Sequence, residues 1–110
     1  MKDIEIIEYY IFVNDNIVKL KRYSDLEELT LNAKRYIGDI DKIIGKSKVY
    51  IGIGAEFNII NDDSKTFGAI DFITRKKNES KFVFCKDIET LDIKLPDEVK
   101  TALEGLIAEL

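Results

Sequence analysis

Val49-Tyr50-Ile51-Gly52-Ile53-Gly54-Ala55-Glu56-Phe57-Asn58-Ile59 is a run with a period of two. Val49, Ile51, Ile53, Ala55, Phe57 and Ile59 fall on one side, and Tyr50, Gly52, Gly54, Glu56 and Asn58 on the other. Successive strand residues point to opposite faces, so this stretch predicts a long strand with one apolar face. Its glycines suit a bulge, or a helix lying close to the sheet.

Downstream, Asn61-Asp62-Asp63-Ser64 is turn chemistry leading into a strand at 67–74. A second turn at 76–80 leads into a strand at 81–86, and Leu91, Ile93 and Leu95 alternate once more, so the region reads as an antiparallel meander. Pro96 fits the first turn of a helix and Asp97 and Glu98 suit its positive end, with Val99, Ala102, Leu103, Leu106, Ile107 and Leu110 as the apolar stripe.

Upstream, residues 3–13 are β-branched and aromatic and are closed by Asn14-Asp15-Asn16, a strand entering a hairpin. With Asp15-Asn16 as a two-residue loop, Val13 pairs with Val18 and Ile11 with Leu20. That register sets Tyr10 and Phe12 beside Lys19 and Lys21 on the opposite face. Ser24-Asp25-Leu26-Glu27 has the form of a capping box, with Ser24 as the cap. Leu26, Leu29, Ala33, Tyr36, Ile37, Ile40, Ile43 and Ile44 continue as a helical stripe up to Gly45, a left-handed stop.

The expected order is ββαββββα: an α+β fold with a mainly antiparallel sheet of five to six strands and two amphipathic helices, in one domain spanning 1–110. Whether the helices share a face is left open by the pattern. The apolar content of 45% is enough to offset chain entropy, so the chain should be ordered. One cysteine, Cys85, excludes an internal disulfide and fits the cytoplasm. The acids Asp3, Glu5 and Glu8 are unlike a signal peptide, and no apolar run is long enough to span a membrane.

The chain has no histidine, which removes Ser-His-Asp and Cys-His catalysis, imidazole bases and ordinary zinc sites. Cys85, within Phe82-Val83-Phe84-Cys85, reads as an inert side chain buried in a strand. Gly52-Ile53-Gly54-Ala55-Glu56-Phe57 fails as a dinucleotide fingerprint, because its sixth residue is Phe and no helix follows. Asp62 and Asp63, with Asn61, Ser64, Glu56 or Asp71, could offer oxygens to a hard cation, but their spacing matches no known loop and suits a turn. No catalytic residue, cofactor or metal is therefore assigned.

Two surfaces remain. Lys19, Lys21 and Arg22 beside Tyr10 and Phe12, with a second basic group of Arg75, Lys76, Lys77 and Lys81, would suit single-stranded nucleic acid or a nucleotide. Against this stands the net charge of −4. Residues 87–110 hold seven acids and two lysines, and Asp97, Glu98 and Glu104 would steer a basic partner. The preferred expectation is a non-enzymatic protein-binding domain of the inhibitor, antitoxin, immunity or host-defence-antagonist type, acting by occluding another protein, of basic character. The partner-binding residues would be Asp97, Glu98, Glu104, Tyr10, Phe12, Lys19 and Lys21. A homodimer is compatible with this reading, a membrane partner is not expected, and the alternative is a nucleic-acid- or nucleotide-binding module on the hairpin face.

Overall fold

A computed structural model describes residues 1–14, 18–60 and 65–110. The elements are β1 (Lys2–Asn14), β2 (Val18–Tyr23), α1 (Leu26–Ile44), β3 (Tyr50–Ile60), β4 (Lys65–Arg75), β5 (Val83–Phe84), α2 (Asp87–Thr90), β6 (Ile93–Lys94) and α3 (Asp97–Glu109). The sheet runs β2-β1-β3-β4-β5 with all these neighbours antiparallel, and β6 adds to the start of β1 in parallel. The expected α+β class and element order hold, with the short helix α2 as an addition. The strands expected at 81–86 and around Leu91–Leu95 shrink to two residues each.

The long strand is central because its apolar face is continuous. Ile51, Ile53, Ala55 and Phe57 are buried, and their partners across β1 and β4 include Val13, Ile11, Tyr9 and Ile73, also buried. Leu29, Ala33, Ile37 and Ile40 of α1, and Val99, Leu103 and Leu106 of α3, join the same cluster. Both long helices therefore lie on one face of the sheet. The start of α1 is set one residue later than the sequence pattern suggests. Asp25 is the cap, accepting from the Glu28 backbone N–H at 2.8 Å, and Ser24 donates its hydroxyl to the Glu28 carboxylate at 2.8 Å. Gly45 ends the helix at φ 109°, backbone that L residues rarely adopt.

The hairpin register is a correction. Asn14 pairs with Val18, Phe12 with Leu20, Ile11 with Lys21 and Tyr10 with Arg22, so three residues rather than two connect the strands. A one-residue slip moves every side chain of a strand to the other face. Lys19 and Lys21 are consequently on the helix side of the sheet, opposite to Tyr10 and Phe12. They are exposed on an edge strand, where charge discourages pairing with other chains. The expected turn residues Asp15 and Asn16 lie outside the described residues, as do Asn61, Asp62, Asp63 and Ser64.

Arg75 is a second correction. Grouped with surface lysines by sequence, it is fully buried, in register with Ile51 on the core face. Its guanidinium donates two hydrogen bonds to the Asp41 carboxylate of α1, one at 3.0 Å, and lies 5.4 Å from the centre of the Phe82 ring. The pair locks the end of α1 to the far end of β4.

Candidate functional site: the open face of the sheet

Both long helices, α1 and α3, lie on one side of the sheet, and neither covers its other face. Register defines its rows: Leu20, Phe12, Gly52, Thr74 and Val83 in one, Arg22, Tyr10, Gly54 and Asp71 in the next. Glu8, Glu56 and Ala69 follow, and then Asn58 with Phe67. Direct partners in antiparallel strands present side chains to the same face at about 5 Å, so each row is a contiguous strip.

At the centre, Asp71 accepts hydrogen bonds from two phenols, Tyr10 at 2.7 Å and Tyr50. The ring of Phe12 meets Tyr50 edge-on, with centroids 6.1 Å apart. The glycines of β3 make this cluster possible. A methyl group at position 52 would stand 2.5 Å from the Asp71 carboxyl carbon, and one at position 54 would stand 2.0 Å from the Ile70 carbonyl oxygen and 2.7 Å from the Tyr10 hydroxyl. The expected bulge is present, but the additional residue is Phe72 in β4, opposite the Ile53–Gly54 step. Nor do these glycines admit a helix: they face away from both long helices and admit a carboxylate and a phenol.

Burial, then the hydrogen bond to Asp71 and its charge, push the Tyr10 and Tyr50 phenols far above their ordinary value of 10. The folded protein keeps protons that the unfolded chain loses. These two groups therefore leave stability undiminished below pH 10 and reduce it as the pH rises beyond that point. Above pH 10, stability should fall less steeply with pH in the Tyr10→Phe/Tyr50→Phe double variant than in the wild type. Equal slopes in denaturant titrations across that range would contradict the assignment.

Arg22 bridges Glu8, at 3.1 Å, and Glu56 on this face. Glu56 is thus committed to an ion pair and Asp71 to two phenols. Among the described residues no cluster has the composition to hold a metal ion. Cys85 follows β5 rather than lying within a strand, and it is only partly buried. Burial, with the charges of Asp87 and Asp71 adding to it, pushes its thiol up, away from the reactive thiolate.

The seven expected partner-binding residues do not form one surface. Tyr10 and Phe12 are at the centre of the open face, and Lys19 and Lys21 turn to the other side of β2. Asp97, Glu98 and Glu104 are exposed on α3, on the helix side. There Asp97 borders an opening of about 380 Å³ together with Lys94 and Lys100, whereas Glu98 borders a different one with Asp25 and Glu27. Sequence reasoning missed Tyr50 and Asp71 as members of the face, and of the basic group Lys19, Lys21 and Arg22 only Arg22 is on it. Tyr50 and the two glycines share a phase in the alternating run, and that was the available signal. No protein-family model, curated protein or solved structure matches the chain.

Proposed function

We propose that the protein is a non-enzymatic binding domain that occludes a partner protein of basic character through the open face of its sheet, in the manner of an inhibitor, antitoxin, immunity protein or host-defence antagonist. One observation carries this reading: the face combines exposed apolar side chains with a rigid polar centre. Val18, Leu20, Phe67 and Val83 are each about half exposed or more. They surround the hydrogen-bonded set of Tyr10, Asp71 and Tyr50. Phe12 and Tyr50, partly exposed, fixed by packing and flanked by apolar surface, resemble the anchors of protein interfaces, where immobilising a loose side chain would cost affinity. Tyr10 is buried and holds Asp71 in place.

Charge selects the partner. Across the central rows stand Glu8, Glu56 and Asp71 against Arg22, in a chain of net charge −4. That balance opposes phosphate backbones and opposes a second copy of the same face, and it favours a protein with bases around an apolar patch. Lys19 and Lys21, which motivated the nucleic-acid alternative, are on the other side of the edge strand. A lone thiol suits a cytoplasmic setting for this role. Among the described residues, no helix is long and apolar enough to cross a membrane.

Leu20→Glu combined with Phe67→Glu should weaken partner binding at least tenfold, because charge in an interface core removes apolar contact and strands a carboxylate. Neutralising Asp97, Glu98 and Glu104 should instead slow association, with a milder effect at high salt. Immobilised protein incubated with extract of its native host, with and without nuclease, followed by kinetics on the retained protein, would check both. Retention that is undiminished in the double variant, or that disappears with nuclease, would overturn the reading.

A further inference from the structure

A second surface, on the helix side, has the chemistry of a receptor for a single cationic side chain. A groove of about 820 Å³ opens between the first turns of α1 and α3. Leu26 and Val99 contribute to its apolar floor, Asp25, Glu27 and Glu98 are its carboxylates, and no lysine or arginine lines it. Asp25 spends one oxygen capping α1, while the Glu27 and Glu98 carboxylates make no hydrogen bond or ion pair among the described residues. Each helix start offers only about half a positive charge, which three carboxylates outweigh.

The independent observation is Tyr9. The residue lies in the core row with Ala55 and Tyr23, is 93% buried at 7% residual exposure, and lines the groove. Its hydroxyl has no hydrogen-bond partner among the described residues. Nor is it sealed off, because Arg75 Nε alone among them is a completely buried side-chain nitrogen or oxygen without a partner. The hydroxyl is therefore at least partly accessible, and it lies near enough to Glu98 and Asp25, two carboxylates of the groove, for their charges to add to the burial that pushes its pKa up.

We infer that this groove receives one arginine side chain from a partner protein, its guanidinium between Glu27 and Glu98 and donating to the Tyr9 hydroxyl, its stem on Leu26 and Val99. Arginine fits better than lysine, since a planar, weakly hydrated guanidinium lies against apolar and aromatic walls while its several donors reach separate acceptors. The inference rests on the reading of the protein as a binding domain for a basic partner, but it uses a different surface from the open face.

N-acetyl-arginine amide, titrated into the full chain and followed by NMR, should shift the amides of Leu26, Glu27, Glu98 and Val99 saturably, with affinity on the order of millimolar for so small a ligand. The uncharged N-acetyl-citrulline amide should not bind. Glu27→Gln with Glu98→Gln should weaken arginine binding about tenfold, and Tyr9→Phe about threefold, the spectra themselves reporting the intact fold. Leu20→Glu with Phe67→Glu should leave this titration unchanged, so the groove and the open face fail separately. Equal binding of the citrulline compound, unchanged affinity in the charge variants, absence of saturation, or tighter binding of free L-arginine than of the blocked residue would each overturn the inference.

Discussion

Asp41→Ala should lower the unfolding free energy by about 3–5 kcal/mol, a large part of the ~5–15 kcal/mol that such a domain possesses. The Arg75 guanidinium is fully buried, and Asp41 is its carboxylate partner through two hydrogen bonds. Removing Asp41 leaves a desolvated charge beside Phe82, which compensates only weakly. Arg75 Nε already lacks a partner, so no alternative acceptor stands ready. The reverse substitution should cost less. Arg75→Met fills most of the same volume and leaves a carboxylate that is 21% exposed and can be hydrated, for a loss of about 1–2 kcal/mol. Urea unfolding midpoints of the two variants check the asymmetry, and equal losses would show that the pair contributes through packing alone.

Gly54→Ala should be comparably severe, at about 3 kcal/mol or more. The added carbon would stand 2.0 Å from the Ile70 carbonyl oxygen and 2.7 Å from the Asp71 Cα. These are backbone atoms of β4, so relief requires β3 and β4 to separate at the bulge, where they enclose the core. The Tyr10 hydroxyl, also 2.7 Å away, would be displaced from Asp71, and the polar centre of the open face would be lost with it. Gly105→Ala provides the contrast. Nothing lies within 4 Å of that position in α3, so alanine should stabilise the helix by roughly 0.5–1 kcal/mol. A thermal melt that ranks the two variants in the opposite order would contradict the geometry.

The helices and the central strand were legible because each carries one periodicity and one apolar face. The Ile37 and Leu103 stripes and the Ile51–Phe57 alternation all point to the cluster that forms. The hairpin register was not. Tyr9-Tyr10-Ile11-Phe12-Val13 is apolar on both faces, so alternation cannot discriminate between pairings, and residue type at Asp15-Asn16 does not fix the register. Arg75 was misplaced because it continues into Lys76-Lys77, which suggests a solvated run. Its phase with Ile73 and its distant partner Asp41 decide otherwise. The candidate site was half legible. Tyr10 and Phe12 were singled out, but Asp71 reaches them only through a bulge that alternation cannot count across, and the glycines at 52 and 54 were a space awaiting an occupant.

The central claim is that the open face, rather than the solvent-facing side of α1 marked by Leu31 and Ile43, is the main surface that meets the partner, the groove at Glu27 and Glu98 taking a single side chain. Site-specific photo-crosslinking in the native host tests it most directly, with a photoreactive phenylalanine placed at Leu20 or Phe67 on the open face, and at Leu31 or Ile43 on α1. All four are apolar and exposed by 47%, 61%, 72% and 76%, so exposure alone cannot favour the sheet. The account predicts a discrete protein adduct from positions 20 and 67 and none from 31 and 43. Adducts confined to the helix positions, or adducts to nucleic acid from position 20, would contradict it.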